Sequence, residues 1–212
     1  SLVESLRLKS SRVTVLYNRP FFEPCNHGIN SARDLSSINI LSVGHVTSYK
    51  RPDLWLEIAE ALIQKYDFLN FTWVGGGELL SDFQDLTLDN PRIKFVGHKD
   101  DLTEYYGSSD LFLHTSEIET HGMSVVEAMS FGLPIVCSNC GGLPESVSHE
   151  KNGYLISSHE VKEYANAIEC LINDRCKLLS FSRASKEIFD NKFSTYIYEN
   201  NLRKYLVKET SF

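Results

Sequence analysis

A chain of 212 residues with 42% hydrophobic and 23% charged residues has material for one sizeable core. Its net charge of -7, with no dense Lys/Arg stripe, excludes nucleic acid as a natural partner. No apolar run approaches the roughly 18–20 residues that span a bilayer. Five cysteines, an odd number without framework spacing, point to a reducing cytoplasm, and the expectation is a cytoplasmic protein without a leader.

Residues 13–17 read as a first strand, and residues 18–37, with Pro20, Pro24 and Gly28, as loop. A second strand covers 38–43 and stops at Gly44. Pro52 suits the first turn of a helix, where its missing N–H is no loss. Leu54, Ile58, Ala61 and Leu62 then repeat at helical spacing and predict a face turned to a core. Residues 70–74 form the next strand, followed by Gly75, Gly76 and Gly77 and a helix from about Glu78. Residues 92–96 are a strand ending at Gly97, and 102–106 a short helix. A strand over 110–114 and a helix over 123–131 follow, then a strand over 134–137. Gly141 and Gly142 lead into another short helix, and 154–156 are a last, edge strand.

Three helical patterns close the chain. Val161, Tyr164, Ala165, Ile168, Leu171 and Ile172 give the clearest face, residues 175–190 a weaker one, and Tyr198, Leu202, Tyr205 and Leu206 mark the last. The mixed tail from Arg203 to Lys208 reads as an amphipathic helix end, with peripheral contact at an anionic membrane face as the alternative. Strand–helix alternation with short connections predicts an α/β domain with a doubly wound parallel sheet. Ligands of such sheets sit beyond the carboxyl ends of the strands, so the loops after 43, 74, 96 and 114 are the ones to read for chemistry.

The strongest signal lies in residues 116–129, where a strand end runs into a helix. Glu119 falls in the loop, and Glu127, eight positions on, about one turn into the helix on the face of Ser124. Gly122 permits close approach to the backbone, and the N–H groups after it, at the helix start, suit a phosphate. A ligand with hydroxyls at both ends and a diphosphate between them, such as a nucleotide sugar, would satisfy all of these groups. The competing reading is a helix N-terminus that favours acidic residues, which accounts for Glu127 better than for Glu119.

This stretch resembles the E-x7-E motif of retaining GT-B glycosyltransferases, with Glu-x-x-Gly followed by Glu-Ala-Met, and is most similar to glycosyltransferase family 4. The resemblance implies a Rossmann-like sheet that is one half of a GT-B fold. It implies that Glu119 faces the donor sugar, that the backbone of His121, Gly122, Met123 and Ser124 meets sugar and phosphate, and that Glu127 holds the ribose hydroxyls. Residues 43–52 resemble the family's first strand and loop, so Gly44 lines the donor site and Lys50 binds the diphosphate. A cation there stabilises charge developing on the leaving group, which makes Lys50 and Glu119 the candidate catalytic pair. His45 stands where the family more often has Arg.

Gly75 begins a segment similar to the family's second strand ending; a dinucleotide fingerprint fails because Leu80 stands where a third Gly would be needed. A tight turn at Gly76 is the simple account of this triplet. Residues 95–97 with the 98–101 loop resemble the base-binding edge, and residues 140–145 and 152–155 also look like family signatures, read mainly as turn geometry. Cys137-x-x-Cys140 has no second pair, and His98, His114, His149 and His159 have no metal spacing.

The resemblance implies that 1–212 is the donor-binding domain with C-terminal helices. The chain is too short for both halves, so an N-terminal acceptor domain is expected outside it. It implies a hexosyltransferase that needs no metal or other cofactor beyond a GDP- or UDP-sugar substrate and acts on a glycan or lipid-linked acceptor in polysaccharide biosynthesis. As this domain alone it is expected to be inactive. A nucleotide-sugar epimerase of the same fold and a non-catalytic nucleotide-binding module stay open as alternatives.

Overall fold

The structure, a computed structural model, describes residues 16–20 and 36–209. Six strands form one parallel sheet: β1 (Ile38–Val43), β2 (Leu69–Val74), β3 (Ile93–Phe95), β4 (Leu111–His114), β5 (Ile135–Ser138) and β6 (Gly153–Ile156). Their order in space is β3-β2-β1-β4-β5-β6, the doubly wound arrangement, with the switch point between β1 and β4. Eight α-helices connect and flank the strands among the described residues: α1 (Pro52–Ile63), α2 (Leu80–Leu86), α3 (Thr103–Ser108), α4 (Met123–Ser130), α5 (Leu143–Ser146), α6 (Val161–Ile172), α7 (Arg175–Lys192) and α8 (Thr195–Glu209). No described helix is long and apolar enough to cross a membrane.

β4 and β5 are buried at every position because the sheet centre is covered on both faces, while β2 and the edge strand β3 alternate, with Lys94 exposed. Alternate residues of β4 go to opposite cores: Leu111 and Leu113 join the layer under α1 and α6, and Phe112 joins the layer under α4 and α7. Ile38 and Ile40 against Leu41 repeat the division in β1. The α1 stripe is broader than the sequence pattern indicates. Leu54, Ile58 and Leu62 are buried as expected and Ala61 lies at the margin, while Trp55, Leu56, Ala59 and Ile63 are buried beside them.

Trp55 and Trp73, the only two tryptophans, meet edge to face at 5.4 Å within a cluster completed by Phe71 and Phe95. Truncating a ring so fully buried to Ala costs roughly 3–5 kcal/mol.

Boundaries differ from expectation where the backbone finds a partner outside its own element. The helix expected from Glu78 begins at Leu80, because the Leu79 N–H donates to the Val46 carbonyl and ties the turn to the neighbouring loop first. The strand expected over 92–96 narrows to Ile93–Phe95, although its flanks still bond to β2 through the Arg92 carbonyl and the Val96 N–H. The expected strand at 13–17 lies largely outside the described residues, and Leu16 and Tyr17 carry no regular structure. The helix marked by Tyr198, Leu202 and Leu206 forms, yet Leu206 is 54% exposed, so its pattern does not report a buried face.

Candidate functional site

The carboxyl ends of β1 and β2, the loops after β3 and β4 and the start of α4 open onto one cavity of about 740 Å³. Every residue expected to bind the donor or to act in catalysis lines it: Gly44, His45 and Lys50 from the first loop, Gly75 from the second, and Glu119, His121, Gly122, Met123, Ser124 and Glu127 from the third. His98 and Lys99 of the expected base-binding edge also line it, with Leu102.

The floor is main chain. A Cβ on Gly75 would collide with the Gly44 carbonyl, and one on Gly77 with the backbone of Val46. Both glycines have positive φ, 147° and 150°. Gly76 has neither constraint, so the tight approach assigned to it belongs to its two neighbours. The Trp73 indole N–H donates to the Gly44 carbonyl at 2.9 Å and anchors the floor to the core.

Lys50 ends a 3-10 turn over Ser48–Lys50. The Thr115 hydroxyl donates to the Lys50 carbonyl at 3.0 Å, which fixes the turn against the end of β4. The Lys50 ammonium then reaches Glu119 Oε2 at 2.5 Å. His114 Nε2 lies 3.1 Å from the same oxygen, and the Thr120 N–H donates to Oε1 at 3.0 Å. Burial alone would raise the Glu119 carboxyl, but the hydrogen bonds to His114 and Lys50 overcome it and hold the group well below the carboxylate range. Burial pushes His114 the other way, below the ordinary imidazole value, against the opposing pull of Glu119.

The loop bearing Glu119 is braced from behind. A Cβ on Gly141, at φ 51°, would overlap the Glu119 carbonyl, and one on Gly142 the Thr120 carbonyl. The Ser138 hydroxyl donates to the Ser116 carbonyl at 2.5 Å, and the Glu117 N–H to the Tyr49 carbonyl at 2.8 Å. Residues 140–142 therefore do more than turn the chain: they set the height of the loop that carries the carboxylate.

Gly122 caps α4 at φ 75°, ψ 59°, and its carbonyl accepts from Val125 and Val126. The N–H groups of Met123 and Ser124, the first two helical residues, have no carbonyl one turn back to meet, which leaves positive potential at the cavity wall. Four positions into the helix, Glu127 Oε2 accepts from the Tyr106 hydroxyl at 2.8 Å. Burial raises the Glu127 carboxyl, and the Tyr106 bond offsets this only in part.

His121 stacks on Tyr17 at 5.7 Å and 20° and tilts against Phe193 at 5.7 Å. Its Nε2 is buried without a hydrogen-bond partner, and burial first of all lowers its proton affinity. Tyr17 is held in turn by the Lys192 ammonium over its ring at 4.5 Å and by its own hydroxyl donating to Glu145 at 3.0 Å. Among the described residues no group of three or more His, Cys, Asp or Glu gathers to hold a metal ion, and Cys137 and Cys140 are both free thiols.

Three residues that matter here escaped the sequence reading. Tyr106 and Thr115 carry no motif of their own. His114 has no metal spacing, but its place at a strand end five residues before Glu119 is a usable signal.

A doubly wound sheet with cation, carboxylate pair and helix start at its switch-point end is one half of a GT-B glycosyltransferase fold. The chain belongs to the family described as glycosyl transferases group 1, whose model matches residues 30–188. An uncharacterized glycosyltransferase of Haemophilus influenzae is 35% identical over 161 residues, covering 74% of this chain and 46% of its own length. Among solved structures, HepE of Anabaena in complex with UDP and glucose is 27% identical with a TM-score of 0.70, covering 81% of this chain and 48% of that one. The C-terminal domain of LpcC, a glycosyl transferase group 1 family protein from Francisella tularensis, matches at 20% identity and a TM-score of 0.66, over 74% of this chain and 87% of that one. This chain thus spans about half the length of the Haemophilus relative.

Proposed function

We propose that this chain is the donor-binding domain of a retaining hexosyltransferase that binds a nucleotide diphosphate sugar and passes the sugar to a glycan or lipid-linked acceptor. The observation that carries the reading is the convergence of Lys50, Glu119, Glu127 and the first turn of α4 on one cavity. The diphosphate lies against the Met123 and Ser124 N–H groups and the Lys50 ammonium. A lysine has three N–H donors, so Lys50 meets a phosphate oxygen while still facing Glu119. Glu127 accepts from the ribose hydroxyls with the oxygen that Tyr106 does not occupy, and Glu119 faces the sugar. As the bond from C1 to the diphosphate oxygen breaks, its electron pair passes to that oxygen, where Lys50 and the helix start stabilise the charge. The acceptor oxygen forms the new bond to C1 on the same face, and its proton leaves with the diphosphate. No metal ion takes part in this scheme.

The second half of the cleft, with the acceptor contacts, belongs to a domain outside this chain. The likeness to a C-terminal domain and to an enzyme holding UDP and glucose supports the placement and favours a UDP-sugar. Calorimetry with UDP-glucose, GDP-glucose and UMP tests the reading. UDP-glucose is expected to bind at least tenfold more tightly than UMP, since it alone of the two uridine ligands engages the diphosphate and sugar groups. Equal affinity for UMP and UDP-glucose would defeat it. His45, exposed at the cavity mouth, is tested by His45→Arg, which should tighten UDP-glucose binding at pH 8 if that position meets phosphate.

A further inference from the structure

His114 closes β4 with only 4% of its surface exposed, beneath the loop that carries Glu119. Three groups hold the Glu119 carboxylate, and they come from different kinds of support. Lys50 reaches it on a flexible four-carbon stem from a 3-10 turn, and the Thr120 N–H belongs to the same exposed loop as Glu119 itself. Only His114 is set in the sheet, where β4 pairs with β5 through His114 and Cys137. The Phe112 ring lies 6.3 Å from its imidazole, and its carbonyl accepts from Ser138 at 3.3 Å.

We propose that His114 is a positioning residue: its strand-anchored imidazole donates Nε2–H to Glu119 and fixes the direction in which that carboxylate faces the cavity. A carboxylate oxygen only accepts, so the contact requires the proton on Nε2, and burial keeps the ring neutral with that single N–H to place. The titratable groups facing Glu119 are Lys50 from the first loop, His114 from β4, His121 from its own loop and the Cys140 thiol from the brace behind it. Lys50 also serves the diphosphate in the donor-site reading, so a second, immobile partner is what keeps Glu119 aimed while the lysine is shared. The consequence for turnover rests on that reading; the positional claim does not.

The test uses the full-length protein with His114→Met, which removes the donor, and His114→Gln, whose amide places an N–H near the original Nε2. NMR water exchange of the Thr120 amide reports directly on the carboxylate, because that N–H donates to Glu119 Oε1. In His114→Met its exchange is expected to quicken about fivefold, the factor for one ordinary hydrogen bond, while β4 amides stay protected; His114→Gln restores it. In parallel, kcat with UDP-glucose falls about 10²-fold in His114→Met, with KM little changed, and recovers with Gln. Unchanged Thr120 exchange in a folded His114→Met protein overturns the proposal. Should His114→Met fail to fold by near-UV circular dichroism, His114→Asn, whose amide falls short of Glu119, is judged by the same criterion. Failure of the wild type to bind UDP-glucose would sink the donor-site reading alone, and the exchange result would still decide the role of His114.

Discussion

Burial raises the Glu127 carboxyl above its ordinary value, so folding disfavours its ionised form. For a raised carboxyl the penalty is complete above the folded-state value, shrinks as the pH falls through it and vanishes only below the unfolded value of about 4.3. Glu127→Gln should therefore raise the melting temperature at pH 7 and, under the proposed function, weaken UDP-glucose binding by about 1–3 kcal/mol through loss of the proposed ribose contact. Thermal unfolding and calorimetry on the same protein check both halves, and a variant losing stability and affinity together would contradict them. Glu119 is the reverse case. Despite burial, His114 and Lys50 hold its carboxyl well below the unfolded value of about 4.3. Its stabilisation is complete above that value and is lost progressively as the pH falls below it. Urea unfolding at pH 6 and pH 3.5 should show the wild type losing more stability on acidification than Glu119→Gln; parallel losses would mean that Glu119 is not paired in solution.

The loop after β4 and the brace at 140–142 act as one unit, and Gly141 is where they touch. An alanine there combines a left-handed backbone with an overlap on the Glu119 carbonyl, at a cost of about 1–3 kcal/mol for the backbone alone. Gly141→Ala should lower the urea midpoint and, because the loop must lift, reduce turnover more than it reduces UDP affinity. Retained turnover at reduced stability would show the brace to be structural only. The strands and α1 were legible in the sequence because β-branched runs such as 38–43 and the 54, 58, 62 spacing map directly onto burial in a sheet covered on both faces. The lining of the candidate site was legible where chemistry and spacing coincide, at Lys50, Glu119, Gly122 and Glu127. It was not legible where contacts join distant segments through groups with no motif, Tyr106 to Glu127 across 21 positions and Thr115 to Lys50 across 65; the glycines at 75, 77 and 141 stand in family-like segments, but the neighbouring backbone that requires each of them does not show in the sequence.

At the scale of the whole molecule, the chain spans about half the length of the Haemophilus relative, and under the proposed function it supplies one wall of a cleft. Under the proposed function, the chain alone should bind UDP yet form no glycoside product from UDP-glucose, since the acceptor has nothing to orient it. Product analysis after incubation with UDP-glucose and candidate acceptors decides; efficient transfer by these 212 residues would refute the two-domain reading. The placement of the tryptophans also gives the molecule an optical readout. Trp55 on α1 packs edge to face on Trp73 of β2, and Trp73 is hydrogen-bonded to the Gly44 carbonyl at the cavity floor. Indole emission is therefore a reporter of the cavity floor, quenched or shifted by whatever settles against Gly44.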